Sequence, residues 1–285
     1  AATSSDYNNM FGYGAGTAIT TGSNNTAMGH NALGGVCTGS HNVAIGTDTL
    51  KNITSGGENV VIGRDAGNDI TDASQNVAIG HESLTKATSG TECVAVGFQA
   101  LELTTGNSNT AVGWKAGEAI ASGIRNVAIG TNALSAASGN DCTAVGYNAL
   151  TLNTGADNTA VGKMAMSGNV GGAYNTAMGF MAMVGTNAGY SRNVAIGYQA
   201  GVALTNGSYN TFVGMYAGND VTTGGGCCTL GYGMTTSATG SVRGHIGYNN
   251  GSTGTADYAI TFGRGGTDWS RLSYGGNSFT VSSDE

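Results

Sequence analysis

The pentapeptide Asn42-Val43-Ala44-Ile45-Gly46 recurs as Asn76-Val77-Ala78-Ile79-Gly80, Asn126-Val127-Ala128-Ile129-Gly130 and Asn193-Val194-Ala195-Ile196-Gly197. Its closing glycine marks a register through most of the chain: Gly12, Gly29, Gly46, Gly63, Gly80, Gly97, Gly113, Gly130, Gly146, Gly162, Gly179, Gly197, Gly214, Gly231, Gly247 and Gly263. Sixteen copies spaced 16 to 18 residues apart predict a stacked array in place of a globular core. Glycine makes up 51 of 285 residues and proline is absent, but collagen's every-third-residue period is missing. Disorder is excluded by the apolar residue before every marker glycine, from Phe11 to Phe262, because disordered chains carry no regular apolar period.

Four places before the marker stands Asn in eleven of the sixteen rungs, a column able to form an amide ladder at strand spacing. The second residue before the marker is Ala in ten rungs. The third and first residues before it are bulky, mostly Val or Thr and then Ile, Val or Met. Side chains alternate along a strand, so the bulky columns share one face and Ala with Asn share the other. The expectation is that the bulky face fills the coil interior, while the Ala/Asn face meets another chain in a symmetric homo-oligomer. Beyond the glycine come a second Ala column (Ala32, Ala66, Ala100) and then Leu or Gly (Leu50, Gly67). The rung closes through Ser/Thr-Gly turns such as Thr38-Gly39 and Ser55-Gly56, where glycine is expected to supply positive φ. A circuit of 17 residues measures about 56 Å, enough for a narrow coil and too little for a cavity.

The resulting fold class is all-β: a parallel β-roll or β-helix solenoid of about sixteen rungs over residues 1–250, with a short β cap over 251–285. Tyr258–Phe262, Trp269–Tyr274 and Asn277–Val281 alternate like ordinary strands.

Three cysteines (Cys93, Cys142, Cys227) replace Asn in its column. Their separation along a stack exceeds disulfide reach, so small buried thiols are expected. With 9% charged residues and a net charge of -7 there is no basic surface for nucleic acid or anionic lipid. No apolar run is long enough to insert in a membrane. Ala1 opens directly into repeat-like sequence and is read as a processing boundary.

The Asn-x-Ala-Ile-Gly rungs with Ser/Thr-Gly turns, over about residues 8 to 250, resemble the head repeats of trimeric autotransporter adhesins. They are still more similar to the repeats of bacteriophage tail fibres and related trimeric adhesive fibres. The ending Phe279-Thr280-Val281-Ser282-Ser283-Asp284-Glu285 looks like the junction where an endosialidase-type intramolecular chaperone begins, with Ser283 and Asp284 at the processing site. The resemblance implies a structural and adhesive homotrimer on a virion, bound to other tail or fibre proteins at its N-terminal end and to a glycan or protein receptor on the host cell. A bacterial surface adhesin, extracellular or on the cell surface, is the alternative. An ice-binding solenoid and a glycan depolymerase are more remote, the first because its Ser/Thr columns are interrupted at Gly171, Ala188 and Asn206.

No cofactor and no catalytic residue are expected. The histidines (His30, His41, His81, His245) lie on distant rungs without cysteine at metal-ligand spacing, so no metal site is expected either. One column invites a binding role, the residue directly after the marker glycine: Tyr13, His81, Phe98, Trp114, Tyr147, Phe180, Tyr198, Tyr232 and Tyr248. Aromatic surfaces of this kind suit sugar rings or a protein receptor. Packing between subunits or shielding of the coil corner remains the other reading.

Overall fold

The computed structural model describes residues 7–136, 139–185, 189–234, 238–239, 243–248, 259–264, 268–273 and 280–281. Two compact units are present, Ala1–Cys142 and Thr143–Glu285, and both are built from parallel β-solenoid turns. Unit 1 carries β1 (Asn9–Phe11), β2 (Thr26–Met28), β3 (Val43–Ile45), β4 (Val60–Ile62), β5 (Val77–Ile79), β6 (Val94–Val96), β7 (Thr110–Val112) and β8 (Val127–Ile129). Each pairs in parallel with the next, in register: Ala44 opposes Ala27, and Ile79 opposes Ile62. Unit 2 carries β9 (Thr143–Val145), β10 (Thr159–Val161), β11 (Thr176–Met178), β12 (Val194–Ile196), β13 (Thr211–Val213) and β14 (Cys228–Leu230). These continue into the longer β15 (Arg243–Tyr248) and β16 (Ala259–Arg264), still parallel. Two antiparallel strands follow, β17 (Asp268–Ser273) and β18 (Thr280–Val281).

The regular coil amounts to about thirteen turns, fewer than the sixteen rungs counted in the sequence, because the three-residue strand unit gives way to six-residue strands at β15 and β16. The first rung is regular although Met10 stands in its Ala position: β1 pairs with β2, and the Asn8 side chain donates to the Gly22 carbonyl at 2.9 Å. Ser283 and Asp284 lie outside the described residues.

The assignment of faces is reversed relative to the sequence expectation. Ala44, Ala78, Ala128 and Ala195, with Asn42, Asn126 and Asn193, are fully buried inside the coil. Val43 and Ile45 are half-buried, and Ile129 and Ile196 remain exposed at 40% and 39%. The cause lies on the opposite wall. There the second Ala column and the Leu/Met column (Leu33, Leu50, Leu84, Leu101, Met166) are fully buried, and between walls this close a large side chain facing Leu has no room.

The exceptions keep the same volume balance. Where Phe212 replaces Ala, glycine stands on the opposing wall at Gly201 and Gly218, and a Cβ at Gly201 would come within 2.6 Å of the Phe212 ring. Val61 is likewise accommodated by Gly67, whose added Cβ would lie 3.3 Å from a Val61 methyl. The Gly column of the Leu wall also coincides with a branched aliphatic three residues on, as in Gly67/Ile70, Gly117/Ile120 and Gly218/Val221.

Turning such a narrow circuit requires left-handed residues at several corners. The marker glycines from Gly12 to Gly247 sit at φ of +126 to +149°, and a Cβ at Gly80 would lie 2.5 Å from the Gly97 carbonyl oxygen of the next turn. Three further corners are left-handed even without glycine, for example Glu58, Asp65 and Leu84 at φ 60, 56 and 52°. The Leu corner uses its backbone as well: Leu84 N–H donates to Ala100 O of the next turn at 2.9 Å. Contrary to expectation, Gly39 and Gly56 of the Ser/Thr-Gly turns are not among the positive-φ residues. Close approach selects them, since the neighbouring turn's carbonyl occupies the space a Cβ would need.

The asparagine column forms the anticipated amide ladder. Asn59 Oδ1 accepts the Asn76 backbone N–H at 3.0 Å and its Nδ2 at 3.1 Å, while Asn59 Nδ2 donates to Ala73 O at 3.0 Å. The same reach of fourteen residues links Asn25 to Gly39, Asn42 to Gly56 and Asn193 to Gly207. Cys93 still donates its N–H to Asn76 Oδ1 and sends its thiol toward Gly106 O at 3.4 Å, but has no amide oxygen to offer the next turn. All five cysteines are free, four of them buried. Burial raises the pKa of the Cys37 and Cys93 thiols.

Replacing Asn59 by Ala strands buried donors and an acceptor at once. The expected loss is about 1–3 kcal/mol for each group left unpaired, read as a lower midpoint in denaturant melts. Tyr190, fully buried where the column holds glycine, donates its hydroxyl to Met183 O at 2.7 Å. Burial raises its pKa far above the usual phenol value. The unfolded chain therefore releases this proton first, and the stability present below the unfolded phenol pKa of about 10 is lost as pH rises beyond it. Melts of Tyr190→Phe and wild type, compared across that range, should show a shallower alkaline decline in the variant.

Candidate functional site

The residue after each marker glycine leaves the sheet at the same corner of every turn, so side chains in this column meet their counterparts one turn away at about strand spacing. Unit 1 stacks Tyr13 on His30 (centroids 5.6 Å apart, planes 10° apart) and, further on, His81, Phe98 and Trp114 in sequence at 5.3 and 6.1 Å. Lys115 covers the Trp114 ring at 5.1 Å. Unit 2 stacks Phe180 on Tyr198 at 5.1 Å and Tyr232 on Tyr248 at 5.0 Å. Between them stands Tyr216, edge-on to Tyr198 and Tyr232 at 5.3 and 6.2 Å. Lys163 bridges Tyr147 and Phe180 at 5.8 and 5.7 Å from the two ring centres.

All nine aromatic and imidazole residues singled out in the sequence thus contact a ring or cation within their own unit. The rings contact one another while several remain exposed, Tyr13 at 83% and Tyr248 at 54%. Tyr216 was missed because it follows Met215, one place later than the column; its register alone, read without the period, gives no signal.

A second cluster joins residues the sequence kept apart. Asp65, His81 and Glu82 bring one potential ligand atom each to within 4.8 Å, because neighbouring turns align Arg64 with His81 and Asp65 with Glu82. The Arg64 guanidinium lies 2.6 Å from His81 Nε2, which puts a positive charge beside the nitrogen that a metal ion would use. Gln99 Nε2 donates to Glu82 Oε2 at 2.7 Å. These contacts satisfy the cluster internally.

The corner five residues before the marker is also polar or aromatic. In unit 1 it holds a shallow depression of about 410 Å³ lined by Ser40, His41, Ser55, Gly57, Glu58, Ser74 and Gln75. Its groups are partly engaged: Ser40 and Ser74 hydroxyls accept the Ser23 and Gly57 N–H groups, and Gln75 donates to Glu58 at 3.1 Å. In unit 2 the same corner places Arg192 between Tyr174 and Tyr209, at 5.4 and 5.5 Å from the ring centres. No signal short of the full 17-residue alignment brings these three together, since they are 17 or 18 positions apart.

If the aromatic column is a stacking element, Phe98→Ala removes two ring contacts. A loss of about 0.5–1.5 kcal/mol per pair is expected, and Thr131→Ala, a position in the same column without a ring contact, should leave the melt unchanged. No helix among the described residues is long and apolar enough to cross a membrane. No protein-family model, no curated protein and no solved structure matches the chain, so the fold and its surface columns are what a functional reading stands on.

Proposed function

We propose that the protein is a structural and adhesive fibre, assembled as a homotrimer, whose outer columns contact a host cell surface; the sequence resemblance points to a phage tail fibre as its setting. What carries the reading is the outward strand face. In each unit it presents an apolar column of Ile, Val, Met or Leu beside a column of Val or Thr that ends in Cys228, with no charged residue from β2 to β14. Ile79, Val112 and Ile129 in unit 1, and Met178, Ile196 and Leu230 in unit 2, stay 38–42% exposed. Contiguous apolar surface of this extent favours association.

A second and third copy of the chain are the occupants that fit. Ridges repeating at one strand spacing mesh over many turns only with a surface of the same period, and an identical chain has it by construction. Charge-free columns let like surfaces meet without repulsion. The rim of such an assembly is formed by the two flanking corner columns, which hold the tyrosines, Phe98, Trp114 and Arg192, side chains enriched at recognition surfaces.

Light scattering should return a mass three times the 28.2 kDa of one chain; a single-chain mass would remove the trimer. Placing Asp at Ile79 and Ile129 together should dissociate the assembly while the circular dichroism of the coil persists. Ala78→Leu, which overpacks the interior by about 1–3 kcal/mol, should instead lower coil stability. Labelled protein should bind some members of a panel of bacteria by flow cytometry, and binding to none would remove the adhesive role.

A further inference from the structure

Arg192, like Lys163, is a corner cation flanked by two rings, and it alone of the two is a guanidinium. Its guanidinium is flanked on both faces by the Tyr174 and Tyr209 rings, which are 57% and 65% exposed. Among the described residues its side chain makes no ion pair and no hydrogen bond. By contrast, Lys51, Arg64, Lys86, Lys115 and Arg125 all have a carboxylate within 4 Å. A place between two rings restricts the long side chain, and the planar set of N–H donors that a guanidinium carries has no hydrogen-bond partner among the described residues.

The same column shows what that edge accepts. In unit 1 the residue equivalent to Arg192 is Arg125, and its Nε and Nη2 each donate to one oxygen of Asp141, a turn away, at 2.7 Å. The arginine hydrogen bonds hold the Asp141 carboxyl below the usual carboxylate range. In unit 2 tyrosines stand on both sides where a carboxylate stands in unit 1. The carboxylate-binding fork is therefore present, and no carboxylate among the described residues pairs with it. Charge also differs between the units: residues 1–142 hold eleven acidic and five basic residues, residues 143–285 six and five.

We propose that Tyr174, Arg192 and Tyr209 form a binding site for the carboxylate of an acidic sugar, of the sialic or uronic acid class. The carboxylate accepts two N–H groups from the guanidinium edge. The tyrosines favour a sugar over a peptide carboxylate because each has one ring face turned away from Arg192. Beyond Tyr209 the column continues as Gly226, which has no side chain to cover that ring, and an open phenol face suits the C–H face of a pyranose. The assignment deepens the adhesive reading and rests on it for its biological setting, but the chemistry can be tested separately.

Saturation-transfer NMR on the full chain would use N-acetylneuraminic acid and glucuronic acid, each beside its methyl ester, with galactose as the neutral sugar. Transfer is expected to the two acids and to be lost with the esters. Arg192→Gln should weaken acid binding at least about tenfold, and Tyr209→Ala should reduce transfer to the sugar ring protons. Arg125→Gln, in the other unit, should leave binding intact, and unchanged melts would show that the variants fold. Equal transfer to acids and esters, retention of binding in Arg192→Gln, or tighter binding of an aspartate-rich peptide than of either sugar would overturn the proposal. Cell binding read in parallel separates the two ideas: cells bound without any acidic-sugar transfer refute this site alone, while acidic-sugar transfer without cell binding refutes the adhesive role alone.

Discussion

One amide organises the coil. The column asparagines reach forward by a turn, accepting the backbone N–H of the next residue in the column and, in most, donating to a carbonyl fourteen residues ahead, as Asn42 does to Asn59 and Gly56. The strands are only three residues long, so the ladder hydrogen bonds of each are few, and a buried corner N–H has no sheet partner unless a side chain supplies one. Asparagine has both the acceptor and the donor for that corner, within a volume the interior can hold. Where Cys93 interrupts the column, its N–H still bonds to Asn76 and its thiol still reaches Gly106 O, but it offers the next turn no amide oxygen.

The narrow interior follows from this clamp and governs the rest of the cross-section. With the asparagine corner fixed, the two walls approach closely enough that Leu on one side requires Ala on the other, and Phe212 is tolerated only between Gly201 and Gly218. Left-handed Leu84 and Leu101 show how strongly packing and turn-to-turn hydrogen bonds weigh, because such a conformation costs an L-residue roughly 1–2 kcal/mol. Bulky Val and Ile are displaced to the outside. An apolar outer face then exists as a consequence of how the interior closes, and it gives the molecule a surface suited to association.

Surface chemistry follows the same one-turn translation. Residues 16 to 18 apart become neighbours, so Phe98 stacks on Trp114, Arg125 grips Asp141, and Arg192 is held between tyrosines. The same register position can therefore hold an ion pair in one unit and a ring-flanked cation in the other on the same kind of turn.

The sequence by itself determined the repeat, its register, the parallel β-solenoid and the asparagine ladder, because a fixed period of Asn, Ala and Gly has few other ways to bury its polar groups. It also identified the aromatic column, whose members coincide in register. Which side of the strand faces inward was decided only by the tertiary structure. Alternation says that Val43 and Ile45 share a face opposite Asn42 and Ala44, and is silent about which face meets the core; the Leu wall across the coil settles that through volume. The positive-φ corners at Glu58 and Leu84, and the meeting of Asp65 with His81 or of Arg192 with its tyrosines, were likewise invisible in the chain, since they arise from the closed circuit and the stacking of one turn on the next.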